Sequence, residues 1–215
     1  MNWTQINEEV NLFAVFLGIF PMITALYKYN KNKWVKFIFF FFLAVTFLDV
    51  IVFYHYKFLD NTLHWIGPYY VFNVMLFIPL FLYFSNENTV FKRIIVYSQG
   101  FLLIIIVIRM LFFIDFTSYD EWTWLSLQIN FQILTLTSLF FEFKKTNKPT
   151  ARNPLVFINV GLLIIFFVPM LSSLLQKKLY EASPDYYQMS LLVLNSSSVL
   201  GYTLILKGLT LVKSR

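Results

Sequence analysis

The chain has no cysteine among its 215 residues, which removes disulfides, thiolate metal sites and cysteine nucleophiles together. Histidine is scarce as well. His55 and His64 are too few for the three-imidazole cluster of a seven-helix membrane zinc hydrolase, and with Asp60 they read as solvated residues of one connection. No GxSxG nucleophile motif occurs, since Ser98-Gln99-Gly100 follows Val96-Tyr97 rather than glycine. Charged residues make up only 13% of the chain, and no polar stretch is long enough to build a separate soluble domain. The expected chain is therefore a single membrane domain over residues 1–215 with no cofactor and no metal.

What is present is apolar. Hydrophobic residues make up 59% of the chain, aromatic residues 21%, and the mean hydropathy is +0.67. Seven long apolar stretches cover residues 10–29, 35–56, 66–84, 93–114, 122–143, 154–175 and 187–212. At about 20 residues each and about 1.5 Å of rise per residue, they match a hydrocarbon core of about 30 Å. Runs such as Phe37 to Leu43 lack the in–out alternation of barrel strands, so the stretches predict helices. The predicted fold is an all-α, seven-transmembrane-helix bundle.

The basic residues fall on alternate connections. Lys28, Lys31, Lys33, Lys36, Lys92, Arg93, Lys144, Lys145, Lys148, Arg152, Lys207, Lys213 and Arg215 occupy one set; only Lys57, Lys177, Lys178 and the intraspan Arg109 lie elsewhere. Lysine-rich connections stay in the cytoplasm, which predicts an outside N-terminus and a cytoplasmic C-terminus. The net charge of +6 then reflects cytoplasmic loops facing anionic headgroups, not nucleic-acid binding. The residues before the first stretch are acidic and the cations follow it, so that stretch reads as a retained anchor rather than a cleaved signal. The use of Phe, Ile, Asn, Lys and Tyr points to an AT-rich bacterial genome and a plasma (inner) membrane.

Polar residues inside these stretches narrow the search, because a charge at membrane depth costs several kcal/mol unless paired or hydrated. Asp49 lies in the outer half of the second stretch and Arg109 near the outer end of the fourth, where a partnership would neutralise both. Gln128, Gln132, Thr135 and Glu142 recur at helical spacing along one face of the fifth stretch, with Asn130 off that face. Asn73, Asn195, Ser196, Ser197 and Ser198 add hydrogen-bonding groups from the third and seventh stretches, with Tyr69 and Tyr70 near them. Such groups either bond helix to helix or line a pocket. Pro21, Pro79 and Pro169 interrupt helical hydrogen bonding in the first, third and sixth stretches. Asn153-Pro154 has the form of an N-cap followed by proline at the first helical position. Lys207 sits near the cytoplasmic end of the last stretch, away from the mid-helix position a retinal Schiff base needs. No internal repeat of the transporter kind is visible.

The segment Asn153-Pro154-Leu155-Val156-Phe157-Ile158-Asn159-Val160-Gly161-Leu162-Leu163-Ile164 resembles the sixth helix of a group of short bacterial seven-helix membrane proteins. In that group a proline-led helix carries a polar residue followed closely by glycine. The resemblance implies a small integral membrane protein working beside a signalling partner such as a sensor kinase, and it supplies no catalytic residues. The functional expectation is a receptor-like protein that binds a small apolar or amphipathic ligand in the outer half of the bundle. Asp49, Asn73, Arg109, Gln128, Gln132 and Asn195 would contact the ligand, and a separate cytoplasmic or membrane partner would carry the signal. A small-molecule transporter and a membrane-embedded lipid enzyme using Asp49 are the alternatives.

Overall fold

The computed structural model describes residues 3–58, 66–112, 121–145 and 152–213. All seven predicted helices are there: α1 (Trp3–Tyr27), α2 (Lys33–Phe58), α3 (Ile66–Ser85), α4 (Thr89–Phe112), α5 (Glu121–Lys145), α6 (Pro154–Ala182) and α7 (Pro184–Thr210), and the described residues include no strand. Five stretches among the described residues, Trp3–Tyr27, Lys33–Val52, Thr89–Arg109, Pro154–Ser172 and Pro184–Thr210, are long and apolar enough to cross a membrane. They mark the chain as a multi-pass membrane protein. The apolar part of α3, Phe72–Ser85, is shorter, and α5 carries the polar stripe of Gln128, Gln132, Thr135 and Glu142.

The helices form a ring. α1 packs on α2, α2 on α3, α3 on α5, α5 on α6, α6 on α7, and α7 back on α1; α4 stands outside this ring against α3 and α5. Aromatic side chains close its middle: the Phe41 ring of α2 lies 6.5 Å from Phe166 of α6, Phe131 of α5 lies 5.8 Å from Phe166, and Phe42 lies 5.5 Å from Tyr202 of α7. The outward faces stay apolar, with Phe16, Phe20, Phe47, Phe101 and Leu111 among the exposed side chains. Lipid solvates such a surface as well as it solvates itself, so association depends on close packing and interhelical hydrogen bonds.

The tightest of these contacts joins α6 and α7 through glycine. A Cβ on Gly161 would lie 2.6 Å from the Gly201 carbonyl oxygen, and one on Gly201 would lie 2.9 Å from the Gly161 oxygen. Seven residues further along the same face of α7, a Cβ on Gly208 would lie 2.7 Å from the Pro154 oxygen. The two backbones touch where any side chain would hold them apart.

The α6–α7 connection differs from the sequence expectation. The expected sixth stretch ends at residue 175, but α6 continues through Gln176, Lys177, Lys178 and Glu181 to Ala182, 29 residues in all. At about 43 Å it outruns the hydrocarbon core, so these polar residues are the extramembrane end of a helix rather than a loop. Ser183 alone separates α6 from α7 in an extended conformation; its N–H donates to the Leu179 oxygen at 3.0 Å and its hydroxyl accepts from Asp185 N at 3.2 Å. Pro184 then starts α7, where the missing N–H costs nothing, and Tyr180 braces Tyr187 edge-on at 5.5 Å. At the other end of α6 the predicted cap is formed, with Asn153 Oδ1 accepting from Leu155 N at 3.0 Å. Pro21, Pro79 and Pro169 lie inside helices that continue past them.

α1 and α7 run parallel and are tied at both ends. Near their N-termini Asn7 Nδ2 donates to the Gln188 carbonyl at 2.7 Å and to Gln188 Oε1 at 2.9 Å. Near their C-termini the Lys28 ammonium donates to the Thr210 oxygen at 3.1 Å and to the Val212 oxygen, placing a cation on the negative end of the α7 dipole. α1 starts at Trp3, seven residues before the expected span, and that extra length carries Asn7.

Gly161→Val or Gly201→Val should lower thermal stability in detergent by several kcal/mol, as overpacking against backbone cannot be relieved by a rotamer change. Gly100→Ala in α4 meets nothing within 4 Å and should be neutral or stabilising by up to about 1 kcal/mol. Equal effects at the three positions would show that the α6–α7 contact is not a structural constraint.

Candidate functional site

The polar stripe of α5 faces the bundle and meets α6 as a ladder. At the C-terminal end of α5 Glu142, only 5% exposed, accepts from Asn153 Nδ2 at 3.1 Å and lies 3.6 Å from the Lys145 ammonium. One step deeper Asn159 of α6 donates to the Ser138 hydroxyl at 3.0 Å, and deeper still Gln132 donates to the Leu163 oxygen at 3.2 Å. These are interhelical bonds of the ordinary membrane kind. They fix α5 against α6 in rotation and register. Sequence reasoning found Glu142 and Gln132, met Asn159 only as the polar residue before glycine in the sixth stretch, and passed over Ser138.

Gln128 is different. It lies one turn before Gln132 on the same stripe, has no exposed surface, and neither its Nε2 nor its Oε1 meets a hydrogen-bond partner. Asn130 Nδ2, Thr135 Oγ1, Asn159 Oδ1 and Asn73 Oδ1 are likewise buried without a partner, and so are both amide atoms of Gln99 in α4. An unpaired buried polar group costs about 1–3 kcal/mol. Apolar residues of the same size would avoid that cost, so these atoms mark where α3, α4, α5 and α6 give up stability. Asn73 itself donates to the Phe41 oxygen at 3.4 Å, and its helix packs on α5.

The six residues singled out in the sequence do not gather in one place. Gln128 and Gln132 share the α5 stripe, and Asn73 stands on the neighbouring α3. Asn195 belongs to the α1–α7 pair, donating to Asn7 Oδ1 at 3.5 Å beside Gln188. Asp49 of α2 and Arg109 of α4 do not form the expected partnership: no ion pair joins them among the described residues, and their helices are not among those that pack on each other. The physical reason is that α4 lies outside the ring, separated from α2 by α3. Asp49 is half-buried and meets no donor among the described residues. The side chains of His55, Asp60, His64, Tyr69 and Tyr70 lie outside the described residues, among which no three acids or imidazoles cluster as metal ligands. Lys207 rests its ammonium 4.5 Å from the Phe157 ring centre near the cation-rich end of the bundle.

The two glutamines should respond oppositely to truncation of their polarity. Gln132→Leu breaks a bond to α6 and should cost about 1 kcal/mol, whereas Gln128→Leu removes an unpaired amide and should raise the melting temperature. Thermal unfolding in detergent distinguishes them; destabilisation by Gln128→Leu equal to that by Gln132→Leu would mean that Gln128 is bonded.

Compared with family models, with curated proteins and with solved structures, the chain finds no match in any of the three.

Proposed function

We propose that the chain is a receptor-like protein of the plasma (inner) membrane with all seven helices crossing, the N-terminus outside and the C-terminus in the cytoplasm. It binds a small apolar or amphipathic ligand between helices in the outer half of the bundle and signals to a separate partner. The observation that carries this reading is Gln128, a wholly buried amide whose donor and acceptor are both unused. A ligand with one hydroxyl or carbonyl on an apolar body would satisfy that amide and bury the rest among aromatic side chains. Asn73, with its unused Oδ1 on the adjacent helix, is the second contact, and Gln132 fixes the depth through α6. Asn195 bonds instead within the α1–α7 pair, and Asp49 and Arg109 are not part of this anchor.

Transmission follows α5. The helix that carries Gln128 ends in Glu142, which holds the N-cap of α6 and the Lys145 side chain, and Lys145 also lies 3.9 Å from Glu87 in the α3–α4 connection. A ligand that prefers one rotation of α5 therefore shifts the arrangement of the cationic inner face, provided its affinity differs between the two arrangements. The transporter reading has less support: Phe41, Phe131 and Phe166 close the middle of the ring where a continuous path would run.

Two features support the orientation. The cation-bearing ends of α1, α2, α4, α5, α6 and α7 are the ones the positive-inside rule retains in the cytoplasm, and Lys28 and Lys145 make their contacts at that end. Because the chain lacks cysteine, single-cysteine variants report topology directly. Glu181→Cys should react with a membrane-impermeant maleimide in intact cells, and Glu87→Cys only after permeabilisation; the reverse pattern would invert the topology.

For the ligand, native mass spectrometry of protein extracted from its own membranes should find a bound small apolar molecule. Gln128→Leu should lose it while remaining folded and at least as stable. Retention of the same molecule by Gln128→Leu would remove this anchor from the account.

A further inference from the structure

At the inner end of the bundle, outside the ring, α3 and α4 enclose a groove of about 330 Å³ lined by Tyr83, Thr89, Lys92, Arg93, Val96 and Tyr97. That volume lies at the lower end of the range for small-molecule sites, about 300–1,000 Å³. The Lys92 ammonium is held 5.1 Å from the Tyr83 ring centre, a cation–π contact that presents the charge to the groove while leaving its N–H donors available. No acid neutralises the pair: among the described residues neither Lys92 nor Arg93 has a carboxylate partner, and the nearby Glu87 extends toward Lys145 of α5. Asn88 already caps the first turn of α4, accepting from Val90 N at 2.9 Å and Phe91 N at 3.1 Å, so the groove does not depend on free helix-end amides.

The lining changes character with depth. Measured from Thr89 along the axis, Lys92 and Arg93 lie at about 5 and 6 Å, and Val96 and Tyr97 one turn further in, at about 10 and 12 Å. Val96 is 57% exposed and Tyr97 74% exposed on the outward face of α4. Two cations at headgroup level above an apolar, aromatic floor at acyl level match the vertical profile of an anionic phospholipid. We infer that this groove is a binding site for one phospholipid of the inner leaflet, with the phosphodiester between Lys92 and Arg93 and an acyl chain along Val96 and Tyr97. Hydroxyl groups of Thr89 and Tyr83 complete the donors available to the phosphate. Since among the described residues α4 packs chiefly on α3 and α5, a lipid wedged here holds the one helix that the ring leaves at its margin.

The inference rests on α4 crossing the membrane with Thr89 at the inner face; the cysteine labelling at Glu87 tests that separately, so the two failures are distinguishable. For the site itself, the protein is equilibrated with phosphatidylcholine vesicles with or without phosphatidylglycerol, and retained lipid is counted by native mass spectrometry. Wild type should keep one phosphatidylglycerol in preference to phosphatidylcholine. Lys92→Gln with Arg93→Gln should weaken that preference roughly tenfold or more, while the charge-keeping Lys92→Arg retains it and reports correct folding. Lys31→Gln with Lys33→Gln, which removes equal charge elsewhere on the inner face, should leave it unchanged. An equal loss from both double variants would mean diffuse surface attraction and would overturn the site. Thermal stabilisation by inorganic phosphate alone, with no preference among lipids, would overturn the lipid assignment in favour of a soluble phosphate ester.

Discussion

Everything in this bundle turns on the contact between α6 and α7. Lipid offers no hydrophobic reason for two apolar helices to meet, so they associate where their backbones can approach closely. Gly161, Gly201 and Gly208 allow that approach, and a methyl group at any of them would strike a backbone carbonyl oxygen. With α7 fixed on α6, Gln188 and the carbonyls of Thr210 and Val212 are placed to receive Asn7 and Lys28 of α1, which closes the ring. The opposite face of α6 carries Asn153 and Asn159 to Glu142 and Ser138. One helix therefore presents glycine to one neighbour and amides to the other.

Most of the unpaired polar atoms lie on α3, α4 and α5, away from the α6–α7 contact. Close backbone packing fixes α6 in a single register, and its bonds to the α5 stripe run from Glu142 to Gln132, with Thr135 Oγ1 and Asn159 Oδ1 left unpaired between them. Beyond that point Gln128 has no partner on any described helix. Natural proteins rarely leave both ends of a buried amide unused unless something else engages it.

The helices were legible in the sequence because each needs a long apolar run, and the cap at Asn153-Pro154 because its chemistry is local. The α5 stripe could also be read, since helical spacing alone puts Gln128, Gln132 and Glu142 on one face. Partner choice could not. Asp49 and Arg109 lie at similar expected depths, yet depth does not say which helix is next to which, and α4 turned out to be outside the ring. Asn195 was misgrouped for the same reason, its neighbour being Asn7 in a segment that reads as extramembrane. The far end of α6 lies beyond the expected stretch, which ends at residue 175, because Lys177, Lys178 and Glu181 end the apolar run without ending the helix. The groove at Lys92 and Arg93 was invisible because its two walls come from different helices.

The central claim is that the buried amide of Gln128 is reachable by a small molecule from the outer side. Placing the chain's only thiol there, as Gln128→Cys, and exposing intact cells to a small membrane-impermeant methanethiosulfonate tests it most directly. Slow but complete labelling from outside is expected, with Asn159→Cys in the inner half of the bundle staying unreacted. A thiol at position 128 that reacts only after the protein is unfolded would contradict the account.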